Sequence, residues 1–149
     1  MTILRRLGLA GALASTLAFG VGCSETNRIL GRNQQTWTMQ PAAAVQAAEG
    51  KVQVATEKDG NHDLQLKVEH MSPADMVFAG KSTYVVWLKP ENGHAQNVGV
   101  LPIDKDLKGE LDTKTSFGTF EVKVTAEQSA SATTPSGAEV MQASVVVAS

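Results

Sequence analysis

The residues of this chain best suited to soft-metal chemistry are three His, five Met and a single Cys. His62, His70 and His94, with Met71 and Met76, could form a soft metal site, because imidazole and thioether ligands both suit copper. Two features weigh against it. His62 and His94 fall in or beside expected turns, and Met71 is equally suited to filling a core. A cupredoxin-like electron-transfer centre also requires a thiolate, and the lone Cys23 is far from the histidines in sequence and has another use.

Other motifs fall short of their chemistry. Ala79-Gly80-Lys81-Ser82-Thr83 copies the end of a phosphate-binding loop. That loop needs a glycine where Asp75 stands, and a helix where Tyr84-Val85-Val86-Trp87 reads as a strand. Asp104-Lys105-Asp106-Leu107-Lys108-Gly109 matches a calcium loop in part, but Lys108 takes a ligand position and Thr115 replaces the closing glutamate. No Gly-x-Ser-x-Gly elbow is present, and the pairs Asp104/Asp106 and Glu110/Asp112 lie on an expected turn and strand face as solvated acids. The expectation is a protein that is not an enzyme and has no cofactor. One Cys excludes an intramolecular disulfide and a multi-thiolate zinc site. A net charge of −2 from 13 basic and 15 acidic residues gives no reason to expect nucleic acid as a partner, since phosphate binding rests on clustered Lys and Arg.

Residues 1–22 have the order of a secretory signal: Arg5 and Arg6, an uncharged apolar stretch over 7–21, then small residues. That stretch is shorter than the ~20 apolar residues needed to cross a bilayer, and Gly8, Gly11, Ser15 and Thr16 interrupt it. Gly20-Val21-Gly22-Cys23 resembles the lipobox of bacterial lipoproteins, departing from the commonest pattern at Gly20, where leucine is usual. The resemblance implies cleavage before Cys23, lipidation of its sulfur, and a partner that is the membrane itself. Two or more acyl chains hold firmly, at roughly 0.8 kcal/mol per buried methylene. Loss of Arg5 and Arg6 leaves an acidic body with nothing to gain from anionic headgroups, so the lipid must do the holding. Ser24 after the cysteine implies, by the same resemblance, the periplasmic face of the outer membrane.

Residues 23–50 show no sustained period and are expected to form the lipidated Cys and a flexible tether spanning on the order of 28 Å. Thr36-Trp37-Thr38 stands out there, as a segment that could add an edge strand or plug a core gap. From Lys51 the period is two. Val52 and Val54, then Leu64, Leu66 and Val68, alternate with polar residues. Tyr84-Val85-Val86-Trp87-Leu88 is apolar on both faces, as a central strand would be. Asn92-Gly93 marks a hairpin. Strands follow over 97–103, 107–113, 120–125 and 139–147, with a Ser/Thr/Ala loop over 128–137. About seven strands with turn chemistry between them predict an all-β, immunoglobulin-like antiparallel sandwich over residues 51–149. A small lipocalin-like barrel is the rival. Trp87 stands on the strand where such sandwiches often bury a Trp.

Tyr84-Val85-Val86-Trp87-Leu88, Gly99-Val100-Leu101, the run from Phe120 through Glu127, and Pro135-Ser136-Gly137 resemble the extracytoplasmic C-terminal domain of bacterial anti-sigma factors. The resemblance covers under half the chain. It implies a β-sandwich interaction or sensor module outside the cytoplasm, with an unknown envelope protein as partner. Loops 72–80 and 128–137 are the expected recognition surface, because loops on a rigid sandwich commonly carry binding.

Overall fold

The computed structural model describes residues 33–148. The signal segment 1–22 and Cys23 lie outside the described residues. Eight antiparallel strands run β1 Gln34–Pro41, β2 Glu49–Thr56, β3 His62–Glu69, β4 Thr83–Pro90, β5 Gln96–Val100, β6 Gly109–Thr115, β7 Thr119–Glu127 and β8 Ala138–Val146. One short helix, α1 Ala74–Val77, precedes β4. Among the described residues no helix is long and apolar enough to cross a membrane.

The strands form a single sheet in the order β5-β4-β7-β8-β1-β2-β3-β6, folded upon itself. β1 is the corner: it pairs with β2 from Gln34 to Met39, then passes to β8 through Gln40 and Pro41. The halves β2-β3-β6 and β8-β7-β4-β5 face each other as an all-β sandwich. The end strands β5 and β6 approach at Gly99, where a Cβ would stand 3.3 Å from Leu111 Cδ1, but they are not hydrogen-bonded neighbours. The shape is therefore nearly closed without being a sealed barrel.

The inter-sheet core follows the two-residue alternation read from the sequence. Val52 and Val54, Leu64, Leu66 and Val68, Tyr84, Val86 and Leu88, Phe120, Val122 and Val124, and Met141, Ala143 and Val145 all join it, with Val140 out of phase at a register shift in β8. Each such side chain contributes on the order of 1.5–3 kcal/mol through burial.

The structure corrects the N-terminal boundary. The folded body starts at Gln34, not Lys51, and β1 occupies part of the expected tether. The Thr36-Trp37-Thr38 segment is indeed a strand, but it bridges the two half-sheets and is no edge. Without it, β2 and β8 would each present unpaired backbone groups. Met39, 1% exposed, fixes its inward face. The following alanine run makes only a single 3-10 turn, Ala43–Val45. The strand expected over 97–103 stops at Val100, because Leu101 leads into Pro102, which has no N–H for a ladder.

The register fixes two poles. Gln34, the turns at 57–61, 91–95 and 116–118, and the C-terminal residues share one pole. Gln35 Nε2 donates to Ala148 O (3.2 Å), and Ala148 N donates back to Gln35 Oε1 (3.1 Å), so both ends of the described body are tied together there. Loops 72–80 and 101–108 lie at the opposite pole, where loop 128–137 also leaves β7 and enters β8.

Candidate functional site

On β4, Tyr84, Val86 and Leu88 enter the core between the half-sheets, so Val85 and Trp87 point the other way. Both are nevertheless fully buried. Trp87 is therefore not an inter-sheet tryptophan; it sits on the outer face of β4. Beside it on β7, Thr125 and Glu127 are each 2% exposed. What covers this outer face is the 128–137 loop, which folds back over the sheet as a strap. Strand β4 is apolar on both faces because it packs against the opposite half-sheet on one side and the strap on the other.

A continuous polar network fastens the strap. Trp87 Nε1 donates to Thr125 Oγ1 (2.8 Å), whose hydroxyl donates to Glu127 Oε1 (2.6 Å). Ser136 N (3.1 Å) and Gly137 N (3.0 Å) donate to the same oxygen, and Ser136 Oγ donates to Oε2 (3.0 Å). Burial pushes the Glu127 carboxyl up. The bonds from Thr125, Gly137 and Ser136 outweigh it and hold the group below its ordinary value, so it is ionised at neutral pH. Gly137 is required by space: a Cβ there would stand 1.7 Å from Ala126 O. Farther along, Asn97 Nδ2 on β5 donates to Ala130 O (3.0 Å) and Ala132 O (2.9 Å), pinning the first half of the strap.

Where the strap meets the β4–β5 turn it leaves a pocket of about 370 Å³, lined by Trp87, Lys89, His94, Lys123, Thr133 and Pro135 among others. Lys123 lies between Glu139 (3.1 Å) and Glu121 (3.4 Å). The hydrogen bond to Glu139 raises its pKa above the ordinary lysine value, against the opposing effect of burial. A larger groove, about 490 Å³, runs along β3 and β6 and mixes Lys67 and Lys108 with Glu69, Asp104 and Glu110.

The structure disperses the soft-metal candidates. His62 and His70 flank opposite ends of β3, about 26 Å apart at strand rise. His62 is buried, its Nδ1 3.1 Å from Thr56 Oγ1. His70 adopts a positive φ of 57° just beyond the strand, His94 is exposed in the β4–β5 turn, and Met71 is wholly buried in the core while Met76 is 76% exposed. No three His, Cys, Asp or Glu residues converge on a metal position among the described residues. The Asp104 loop is closed by its own backbone, with Asp106 N (2.8 Å) and Lys108 N (3.0 Å) donating to Asp104 Oδ1. After Gly80 the chain enters β4, not a helix. Ser82 instead ties that loop to the strap: its N donates to Glu127 O (3.0 Å) and its Oγ to Gln128 O (2.8 Å). Tyr84 Oη donates to Ser72 O (2.7 Å), so the two loops expected to carry recognition are neighbours on one framework.

Reasoning from sequence missed Glu127, Lys89 and Lys123. The available signal was an outward-facing series Thr125, Glu127 beside a strand apolar on both faces, followed by Pro135-Ser136-Gly137. No protein-family model and no curated protein matches this chain.

Proposed function

We propose that this chain is a non-enzymatic lipoprotein of the cell envelope, held by lipid on Cys23 at the periplasmic face of the outer membrane, whose β-sandwich engages another envelope component. The observation carrying this reading is the lone Cys directly after Arg5-Arg6, an apolar stretch and Gly20-Val21-Gly22. The pole geometry supports it. Gln34 starts β1 at one pole, and the stretch 24–33 reaches about 35 Å at most if fully extended. Loop 72–80 and the two ends of loop 128–137 stand at the other pole, one strand length of about 26 Å from Gln34. An anchor at one end and rigidly braced loops at the other suit display toward a partner.

Cys23→Ser tests the anchor. The parent should partition with membranes and incorporate a fatty-acid analogue; the variant should do neither. A parent that takes up no label and is recovered unmodified at Cys23 overturns the reading. Pull-down from envelope extracts with the lipidated parent, against a form altered in loops 72–80 and 128–137, tests the display surface.

A further inference from the structure

We propose that the pocket between the strap and the β4–β5 turn binds a small anion, its oxygens held by the ammonium groups of Lys89 and Lys123. The lining carries Lys89, Lys123, His94, Thr133 and Thr134, and no carboxylate. Ammonium groups offer only donors, and the hydroxyls and imidazole can donate as well, so the complementary ligand is rich in acceptor oxygens. This is unusual on a chain of net charge −2, and it contrasts with the larger groove, where both signs mix. Lys89 is exposed and makes no ion pair among the described residues. Lys123 meets Glu139 and Glu121, which leaves the third of its N–H donors for a ligand. Neither acid lines the pocket.

The walls supply the rest of a binding site. Ala95 and Pro135, above the buried Trp87, give the pocket an apolar wall beside these donors. At about 370 Å³ the pocket lies at the lower end of the range for small-molecule sites, which limits the ligand to a compact carboxylate or phosphate. Glu121, opposite Lys89 and 3.4 Å from Lys123, and Glu139, 3.1 Å from Lys123, offset much of the lysine charge, so affinity near the millimolar range is expected. The site belongs to the folded body and stands or falls independently of the lipid anchor.

The test uses the full-length chain in nonionic detergent at constant ionic strength, followed by backbone amide shifts. Succinate and inorganic phosphate are the probes, and the uncharged diol of succinate's length is the control. Saturable shifts in 93–95 and 133–135 are expected with at least one anion, and none with the diol. Response to one anion alone narrows the class to carboxylate or phosphate; response to both, in competition, assigns the site to anionic oxygen in general. Lys89→Gln, at an exposed position, should weaken binding about tenfold. Lys105→Gln, on the 101–108 loop, should leave it unchanged. Failure to saturate by about 20 mM, an equal response to the diol, or Lys89→Gln binding like the parent overturns the proposal.

Discussion

Replacing Glu127 should unfasten the strap, and the size of the effect follows from its partners. The carboxylate accepts from Thr125 Oγ1, Ser136 N, Ser136 Oγ and Gly137 N. Glu127→Ala strands two backbone N–H groups and forces both hydroxyls to find new partners. An orphaned donor costs about 1–3 kcal/mol, and water entering under a surface loop recovers part of that, so a loss of about 3–4 kcal/mol is expected. Glu127→Gln keeps the oxygen that takes three of the bonds, and its amide can donate to Ser136 Oγ after that hydroxyl turns. It forfeits the assistance of the charge, for a loss of about 1–2 kcal/mol.

Acid should produce the same loosening in the parent. The folded carboxyl lies below its unfolded value of 4.5, so its contribution is complete above that pH and disappears as pH falls through the folded value. Urea unfolding followed by circular dichroism measures the loss as a shift in midpoint at constant slope. In a Trp37→Phe background, quenching of Trp87 fluorescence reports its cover directly, since the chain has only two tryptophans. Glu127→Ala should expose the indole, and the gap between parent and Glu127→Gln should narrow below pH 4.5. A Glu127→Ala midpoint within about 0.5 kcal/mol of the parent, with Trp87 still shielded, would refute the latch.

The same framework sets two further expectations. Gly137→Ala places a Cβ 1.7 Å from Ala126 O and must displace the end of the strap, costing about 2 kcal/mol or more, whereas Gly118→Ala, with nothing within 4 Å, should cost less than about 1 kcal/mol; paired urea midpoints decide. Burial, aided by the charge of Asp75, pushes the Tyr84 phenol up to about 12, and because it is the only tyrosine, ultraviolet titration reads it alone. Its neutral hydroxyl holds Ser72 O, so this stabilisation should be present below the ordinary value of 10.0 and vanish as pH rises through about 12; a phenol ionising near 10.0 in the folded protein would contradict the burial.

Much of the sandwich was legible because a strand with one buried face writes a two-residue period into the sequence. Val52 and Val54, Leu64 through Val68, and Phe120 through Val124 all point inward as that period requires. Alternation names a buried face but not the element that buries it. Thr83–Pro90 therefore announced burial on both sides while leaving the strap unidentified. The same limit hid where β1 sits, since its pairing with β8 spans more than a hundred residues, and a lone Trp between two threonines carries no trace of that. Glu127 was illegible for a related reason: an acid at a strand end reads as solvated unless the loop returning over it is known. The histidines failed as a set because nearness in sequence along an extended strand becomes distance in space, and β3 holds His62 and His70 apart at its two ends.

Latch and pocket are one mechanical unit. Thr133, Thr134 and Pro135 line the pocket and belong to the strap, while Ser136 and Gly137 next to them are held by Glu127. A ligand that touches the first three meets a complete site only while the last two are fastened. Its binding free energy therefore adds to strap closure, by about 0.4 kcal/mol when the ligand is at its dissociation constant, and closure strengthens binding to the same degree by reciprocity. Ser82 extends the coupling to the neighbouring loop through Glu127 O and Gln128 O, and Tyr84 extends it to Ser72. Occupancy of a small pocket on the side of the sandwich thus bears on how firmly the strap and, through Ser82 and Tyr84, the 72–80 loop are held.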